Sequence, residues 1–382
     1  MKIAYIATEK LPVPAIRGGA IQIYIDSVAA IIGKNHDVTI LSIQHEELEM
    51  QEKRGNVRYI RFDEKNYLTS IITHLQQETY DVIHLCNRPL WVKSVKEATP
   101  ASKIVLSVHN EMFTYEKLSD QEGKECLNLV SKVVTVSDFI GRTITDRFPF
   151  AKSKVKTVYS GVDLDTFQPP WTSKGGQGRS SIRSELGLTN RKVILFVGRL
   201  SKVKGPHILL QALPSIKKEH QNVTMVFIGS KWFGDDQVNN YVKHLYTLGA
   251  MYQENVMFIK FVKPVDIPKL FAMSDVFVCS SQWQEPLARV HYEAMAAGLP
   301  IITSKRGGNP EVINEGKNGY VVDQFEDPES YATLINSLLH DSNKRERLGR
   351  YGREKVERDF SWRNVENNLI AVYKEATGNK ER

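Results

Sequence analysis

Short apolar runs alternate with amphipathic stretches along nearly the whole chain, and they do so in two successive series. The first series is K-I-A-Y-I-A (2–7), D-V-T-I-L-S-I (37–43), V-R-Y-I-R-F (57–62), Y-D-V-I-H-L (80–85), K-I-V-L-S-V (103–108), V-V-T-V-S (133–137) and V-K-T-V-Y-S (155–160). The second is K-V-I-L-F-V (192–197), V-T-M-V-F-I-G (223–229), V-M-F-I (256–259), D-V-F-V-C-S (275–280), L-P-I-I-T (299–303) and G-Y-V-V (319–322). Strand, helix, strand repeated in this way predicts parallel sheets covered on both faces by helices. V-R-Y-I-R-F is the most polar run and is placed toward a sheet edge. Between the series, residues 168–184 are rich in Pro, Gly and Ser and predict a linker. Their Gly cluster mimics a phosphate loop only loosely, since no strand precedes it and the Gly-Lys-Ser order is missing. A chain of 382 residues is also long for one core. The expected class is α/β, with two doubly wound, Rossmann-like domains at 1–167 and 185–360 and a helical tail at 361–382.

Residues 282–311, Q-W-Q-E-P-L-A-R-V-H-Y-E-A-M-A-A-G-L-P-I-I-T-S-K-R-G-G-N-P-E, concentrate the chemistry. They follow an apolar strand and read as loop, helix, turn, strand and glycine turn. Pro286 suits the first position of a helix, and Gly298 suits its C′ cap. Glu285 and Glu293 stand eight residues apart, about two helical turns, at the carboxyl end of the sheet where open α/β sheets bind ligands. Carboxylates accept from vicinal sugar hydroxyls, and a helix start between them favours a diphosphate. Taken by spacing alone, two such glutamates are usually a solvated helix face. A second cluster, G-R-L-S-K-V-K-G at 198–205, puts Arg199 and Lys204 after another strand, where two cations can clamp a leaving diphosphate. Gly18 and Gly19 head the first helix, either letting a phosphate or an acceptor approach the backbone or making an ordinary turn. His109 closes a buried strand, a position more often structural than chemical when read alone.

Charge and cysteine usage narrow the function classes. The formal net charge of +7 suits anionic ligands, or weak attraction to anionic lipid or polymer, and no basic run is long enough for nucleic acid. No apolar run reaches membrane-spanning length, and the chain opens on a strand rather than a leader peptide, so no transmembrane segment is expected. Cys86, Cys126 and Cys279 are scattered through apolar runs and read as buried, reduced thiols of a cytoplasmic protein.

The string E-P-L-A-R-V-H-Y-E-A-M-A-A-G-L-P-I-I resembles the E-x7-E signature of the group 1 (GT4) glycosyltransferases of GT-B fold, and G-R-L-S-K-V-K-G resembles their G-R-x-x-x-x-K-G. Gly307, Gly308 and Glu311 match G-G-x-x-E. Gly161, Val162, Asp163 and Phe167 match the motif at the domain junction, with Ser160 where Asn is common. The D-L-D at 163–165 falls inside that junction motif and is not taken as a metal site. The resemblance covers nearly the whole chain and implies a tail helix that crosses back onto the first, acceptor-side domain. It also implies a cleft between the domains and a retaining, metal-independent transferase of the hexosyl type. The donor is a nucleoside diphosphate sugar, UDP-sugar being the first choice, with no further cofactor. The acceptor is a glycan, lipid or small molecule.

The same resemblance assigns roles. Glu293 holds the ribose hydroxyls and Glu285 the sugar hydroxyls. Arg199 and Lys204 take the diphosphate charge, and His109 supports the sugar, with Asn110 and Glu111 as candidate acceptor contacts. Phe261, between Lys260 and Val262, lies near the base, and Gly307 and Gly308 either touch the donor through their amides or form a capped turn. Leu287, Ala288 and Arg289 fall among the donor-binding positions but depart from the family, which commonly has an aromatic residue, a glycine and an apolar residue there. Two other functions are compatible with the fold. One is a catalytically silent structural component of a coat or scaffold, with coat proteins as partners. The other is a sugar-nucleotide epimerase.

Overall fold

A computed structural model describes residues 1–16, 18–229, 238–260 and 262–378. The chain divides into two compact units, Met1–Gly161 with Trp362–Arg382, and Val162–Ser361.

The first unit contains β1 (Lys2–Ile6), α1 (Ala20–Ile32), β2 (Asp37–Ile43), β3 (Gln51–Arg54), β4 (Val57–Phe62), α2 (Tyr67–Gln77), β5 (Val82–Cys86), α3 (Val92–Ala98), β6 (Lys103–Val108), α4 (Asp120–Leu129), β7 (Lys132–Thr135), α5 (Asp138–Thr145) and β8 (Val155–Thr157). The second contains α6 (Ser173–Glu185), β9 (Lys192–Val197), α7 (Pro206–Glu219), β10 (Val223–Ile228), α8 (Asn240–Ala250), β11 (Val256–Ile259), α9 (Ile267–Ala272), β12 (Val276–Cys279), α10 (Val290–Ala296), β13 (Ile301–Ser304), β14 (Gly319–Val322), α11 (Pro328–His340) and α12 (Ser342–Asp359). The last helix, α13 (Trp362–Thr377), returns to the first unit.

Among the described residues the first sheet has the order β3-β4-β2-β1-β5-β6-β7-β8 and the second β11-β10-β9-β12-β13-β14. Only the β3–β4 pairing is antiparallel among the described residues. Among the parallel strands the order reverses at β1/β5 in the first unit and at β9/β12 in the second, the antiparallel edge strand β3 standing outside this pattern. Such reversals open a crevice at the carboxyl ends of the strands, so each unit has one place built for a ligand.

Helices bury apolar clusters on both faces of the first sheet, with Ile83, Leu106 and Leu127 in one and Tyr24, Val82 and Leu369 in the other. Helix α13 is fastened polar-side as well: the Tyr373 hydroxyl lies 2.6 Å from the Tyr5 hydroxyl and 2.7 Å from Nδ1 of His84, inside the sheet. The three cysteines are buried.

Two expectations are corrected. The stretch 168–184, expected as a linker, belongs to the second unit and is helical over Ser173–Glu185. Its glycines disfavour a helix, but Thr172 caps it through the Gly175 N–H, and Arg179 and Arg183 both reach Asp275 before β12. V-R-Y-I-R-F does lie toward the edge, one strand in, with the charged strand Q-E-K-R (β3) paired outside it. Arg61 of that run is 1% exposed and donates twice to the Val13 carbonyl and once to Glu52. Second, α10 begins at Val290, four residues beyond Pro286, so Glu293 lies in its first turn and not two turns in.

Candidate active site

The β9/β12 reversal brings together the two clusters that the sequence singles out. The loop after β9 carries Arg199 and Lys204, and the loop after β12 carries Glu285. Hydrogen bonds lock the loops edge to edge: the Gln282 N–H donates to the Val203 carbonyl at 2.8 Å, and the Ser280 hydroxyl to the Gly205 carbonyl at 2.9 Å. Gly205 has φ 70°, and a Cβ there would stand 2.0 Å from the Ser280 carbonyl oxygen, so only glycine lets the loops meet.

Across this seam the Lys204 ammonium pairs with Oε1 of Glu285, which also accepts from the Ser281 hydroxyl. The Glu285 side chain is 3% exposed and that of Lys204 20%. The Lys204 ammonium also sits 5.6 Å from the Trp283 ring centre. Arg199 lies partly buried directly after β9.

Glu293 is partly buried, with the Arg289 guanidinium 3.9 Å away. Burial pushes its carboxyl above the ordinary carboxylate range, and the Arg289 charge opposes the rise. Behind it, His291 is fully buried, and burial holds its imidazole down at about 4. The ring is therefore neutral: Nδ1 donates to the Ala288 carbonyl at 2.9 Å, and Nε2 accepts from the Thr303 hydroxyl at 2.9 Å. This histidine ties the start of α10 to β13.

The glycine turn after β13 also packs on the Glu285 loop. The Gly308 N–H donates to the Glu285 carbonyl at 2.7 Å and the Gly307 N–H to Oε1 of Gln284 at 2.7 Å. These amides are thus engaged by protein, which supports the capped-turn alternative for Gly307 and Gly308. The Ala288 N–H is likewise taken, by Oδ1 of the fully buried Asn309 at 3.1 Å. Leu287 is buried at 8% exposure. Asp163 uses Oδ1 on the N–H groups of Asp165 and Thr166, closing its own turn.

Gly18, Gly19 and His109 belong to the first unit. Gly18 and Gly19 have φ 87° and 108°, and a Cβ on Gly19 would stand 2.4 Å from Oε1 of Gln22, so the turn itself requires that glycine. His109 is partly buried after β6, its Nε2 3.1 Å from the Ser107 hydroxyl and its ring 5.2 Å from that of Tyr24. At the β1/β5 reversal, Arg88 grips both oxygens of Glu9 at 2.7 and 2.6 Å, holding that carboxyl below its ordinary range despite the opposing effect of burial. Phe261 lies outside the described residues.

Sequence reasoning did not single out Ser281, Trp283, Asn309 or the Glu9–Arg88 pair. For Asn309 a signal existed, since it directly follows the two glycines. For Glu9 and Arg88 there was none, because their contact spans distant parts of the chain.

A sequence profile described as "Glycosyl transferases group 1" matches residues 178–355, and one described as "Glycosyltransferase Family 4" matches residues 17–166. The chain is 62% identical to Spore coat protein SA of Bacillus subtilis (strain 168), over 98% of this chain and 99% of that one. It is 24% identical to the GDP-mannose-dependent alpha-(1-6)-phosphatidylinositol monomannoside mannosyltransferase of Mycolicibacterium smegmatis, over 91% and 92%. The crystal structure of Anabaena Alr3699/HepE in complex with UDP superposes with a TM-score of 0.76 at 23% identity, covering 97% of this chain and 99% of that one. The fold is GT-B.

Proposed function

The chain belongs to the group 1 glycosyltransferases, and from that premise we propose that it transfers a hexosyl group from a nucleoside diphosphate sugar to an acceptor hydroxyl, with retention and without a metal ion. The observation that carries this reading is the Lys204–Glu285 pair at the β9/β12 reversal. A cation and a nearly buried carboxylate already face each other there. Arrival of a donor lets Lys204 exchange Glu285 for the diphosphate, while Glu285 turns to the sugar hydroxyls. Arg199 joins Lys204 on the diphosphate, and Glu293, in the first turn of α10, takes the ribose hydroxyls. His109 contacts the donor sugar during transfer.

In the transfer, the bond from C1 to the diphosphate oxygen breaks and the acceptor oxygen bonds to C1 on the same face. The hydroxyl proton departs with the diphosphate. Charge grows on the leaving diphosphate as that bond opens, so Arg199 and Lys204 act where electrostatic stabilisation counts most.

The UDP in the HepE crystal structure supports UDP-sugar as the first donor to test, and the mannosyltransferase relative makes GDP-mannose the second. The name of the Bacillus subtilis relative supports an association with the spore coat. The paired Lys204 and Glu285 favour an enzyme over a silent scaffold.

The test is release of free sugar from UDP-glucose, GDP-mannose and ADP-glucose, followed by proton NMR. We expect one donor to yield the α anomer first, at a rate unchanged by EDTA. The β anomer first, or a rate abolished by EDTA, contradicts the mechanism. No turnover of any donor, with no nucleotide bound, favours the scaffold.

A further inference from the structure

His109 owes its place to a residue on the neighbouring strand. Its main-chain N–H donates to Oδ1 of Asn87 at 3.0 Å. Asn87 directly follows β5, is 3% exposed, and has φ 57°, the left-handed region; it is the one non-glycine residue with positive φ among those described. Its other polar groups are also engaged. The Asn87 N–H donates to the Ser107 carbonyl at 2.7 Å, Nδ2 to Oδ1 of Asn110 at 3.3 Å, and its carbonyl accepts from Nη1 of Arg88 at 2.8 Å.

Glycine is the residue that reaches this backbone conformation at least cost, and asparagine is the side-chain-bearing residue that best tolerates it. Glycine has no amide to offer. In this position a side-chain amide does two things at once: its oxygen fixes the His109 backbone, and its nitrogen fixes the Asn110 side chain. The His109 ring is then set by its own strand, through the Ser107 hydroxyl.

We propose that Asn87 is a positioning residue for transfer, a clip between the ends of β5 and β6 that holds His109 and Asn110 in one geometry. This rests on the reading of His109 as a contact to the donor sugar. Because the clip acts through His109, and His109 acts as the sugar transfers, its loss should lower kcat and leave donor binding alone. Misplacement of a reacting group by an ångström can cost about 10²-fold.

The experiment compares wild type with Asn87→Gly, Asn87→Asp and His109→Ala, using the donor turned over best among the three above. It reads kcat, KM and Tm. Asn87→Gly keeps the left-handed backbone without strain but gives up two side-chain hydrogen bonds, so Tm should fall modestly while kcat falls about 10–100-fold at unchanged KM. Asn87→Asp keeps an acceptor for the His109 N–H and should recover most of that loss. His109→Ala should fall at least as far as Asn87→Gly. Wild-type kcat in Asn87→Gly, with His109→Ala impaired, overturns the clip. An Asn87→Asp protein as slow as Asn87→Gly also overturns it, since the acceptor would then not matter. Wild-type kcat in His109→Ala overturns the reading of His109 instead.

Discussion

Replacing Lys204 with methionine is expected to lower kcat/KM about 10²–10³-fold and to destabilise the second unit by about 3–5 kcal/mol. Both effects have one origin. Glu285 is 3% exposed, and Lys204 is its cationic partner. Without the ammonium, a buried carboxylate retains the Ser281 hydroxyl but no compensating charge from Lys204. Adding Glu285→Gln removes that charge and should restore most of the stability. It should restore none of the rate, because the cation proposed for the diphosphate is still missing and the carboxylate proposed for the sugar has gone too. Urea denaturation and steady-state kinetics on the single and double variants separate the two. A double variant as active as wild type would remove the pair from the mechanism. A stable Lys204→Met protein would show that Glu285 does not depend on it.

Acid should loosen both units well above the pH at which surface carboxylates titrate. His84, in the core of the first unit, and His291, on the buried side of α10 in the second, are both fully buried. Burial brings them from the ordinary imidazole value of 6.5 down to about 3 and about 4. A group whose value is lower in the folded protein stabilises it above the unfolded value and stops doing so as pH falls toward the folded one. The contribution is therefore complete above pH 6.5 and declines below it, by on the order of 2–3 kcal/mol for each histidine between pH 6.5 and 4.5. Glu78, held near 2 by its H-bonds to Lys2 and Arg58 against the effect of burial, begins to contribute only at the acid edge of this window, where its ordinary value of 4.5 lies. Thermal unfolding across pH 7.5–4.5 should thus show a steep fall in Tm. His84→Gln and His291→Gln should flatten it, with a residual slope from His74, His207 and His220, which burial pushes the same way. A slope unchanged in both variants would place the acid sensitivity elsewhere.

The strands were legible because a sheet buried on both faces must be apolar along its whole length, as in β5, β6, β9 and β12. Strand β3 was not, because Q-E-K-R has no apolar face and exists as an edge through its pairing with β4. Helix α6 was hidden for a related reason. Its sequence favours a linker, and what holds it is Asp275, far along the chain. At the site, residue type and strand-end position identified Lys204 and Glu285 as candidates, but not that they pair directly across two loops. The start of α10 was misplaced because Pro286 suits a first helical residue. The loop is instead held open by the Gly308 N–H on the Glu285 carbonyl and by Asn309 on the Ala288 N–H. Such contacts depend on the relative placement of three strand ends, which no local pattern records.

On the proposed reading, one nucleotide site in the second unit is built by Lys204, Glu285 and Glu293 together. Calorimetric titration of UDP, GDP and ADP into wild type, Glu293→Ala and the Lys204→Met/Glu285→Gln double variant probes that site. One nucleotide should bind wild type with a stoichiometry of one, and each variant should weaken it about 10–100-fold, the loss of a charge-assisted contact. Equal affinity in all three proteins, or no binding of any of the three nucleotides to wild type, would contradict that reading.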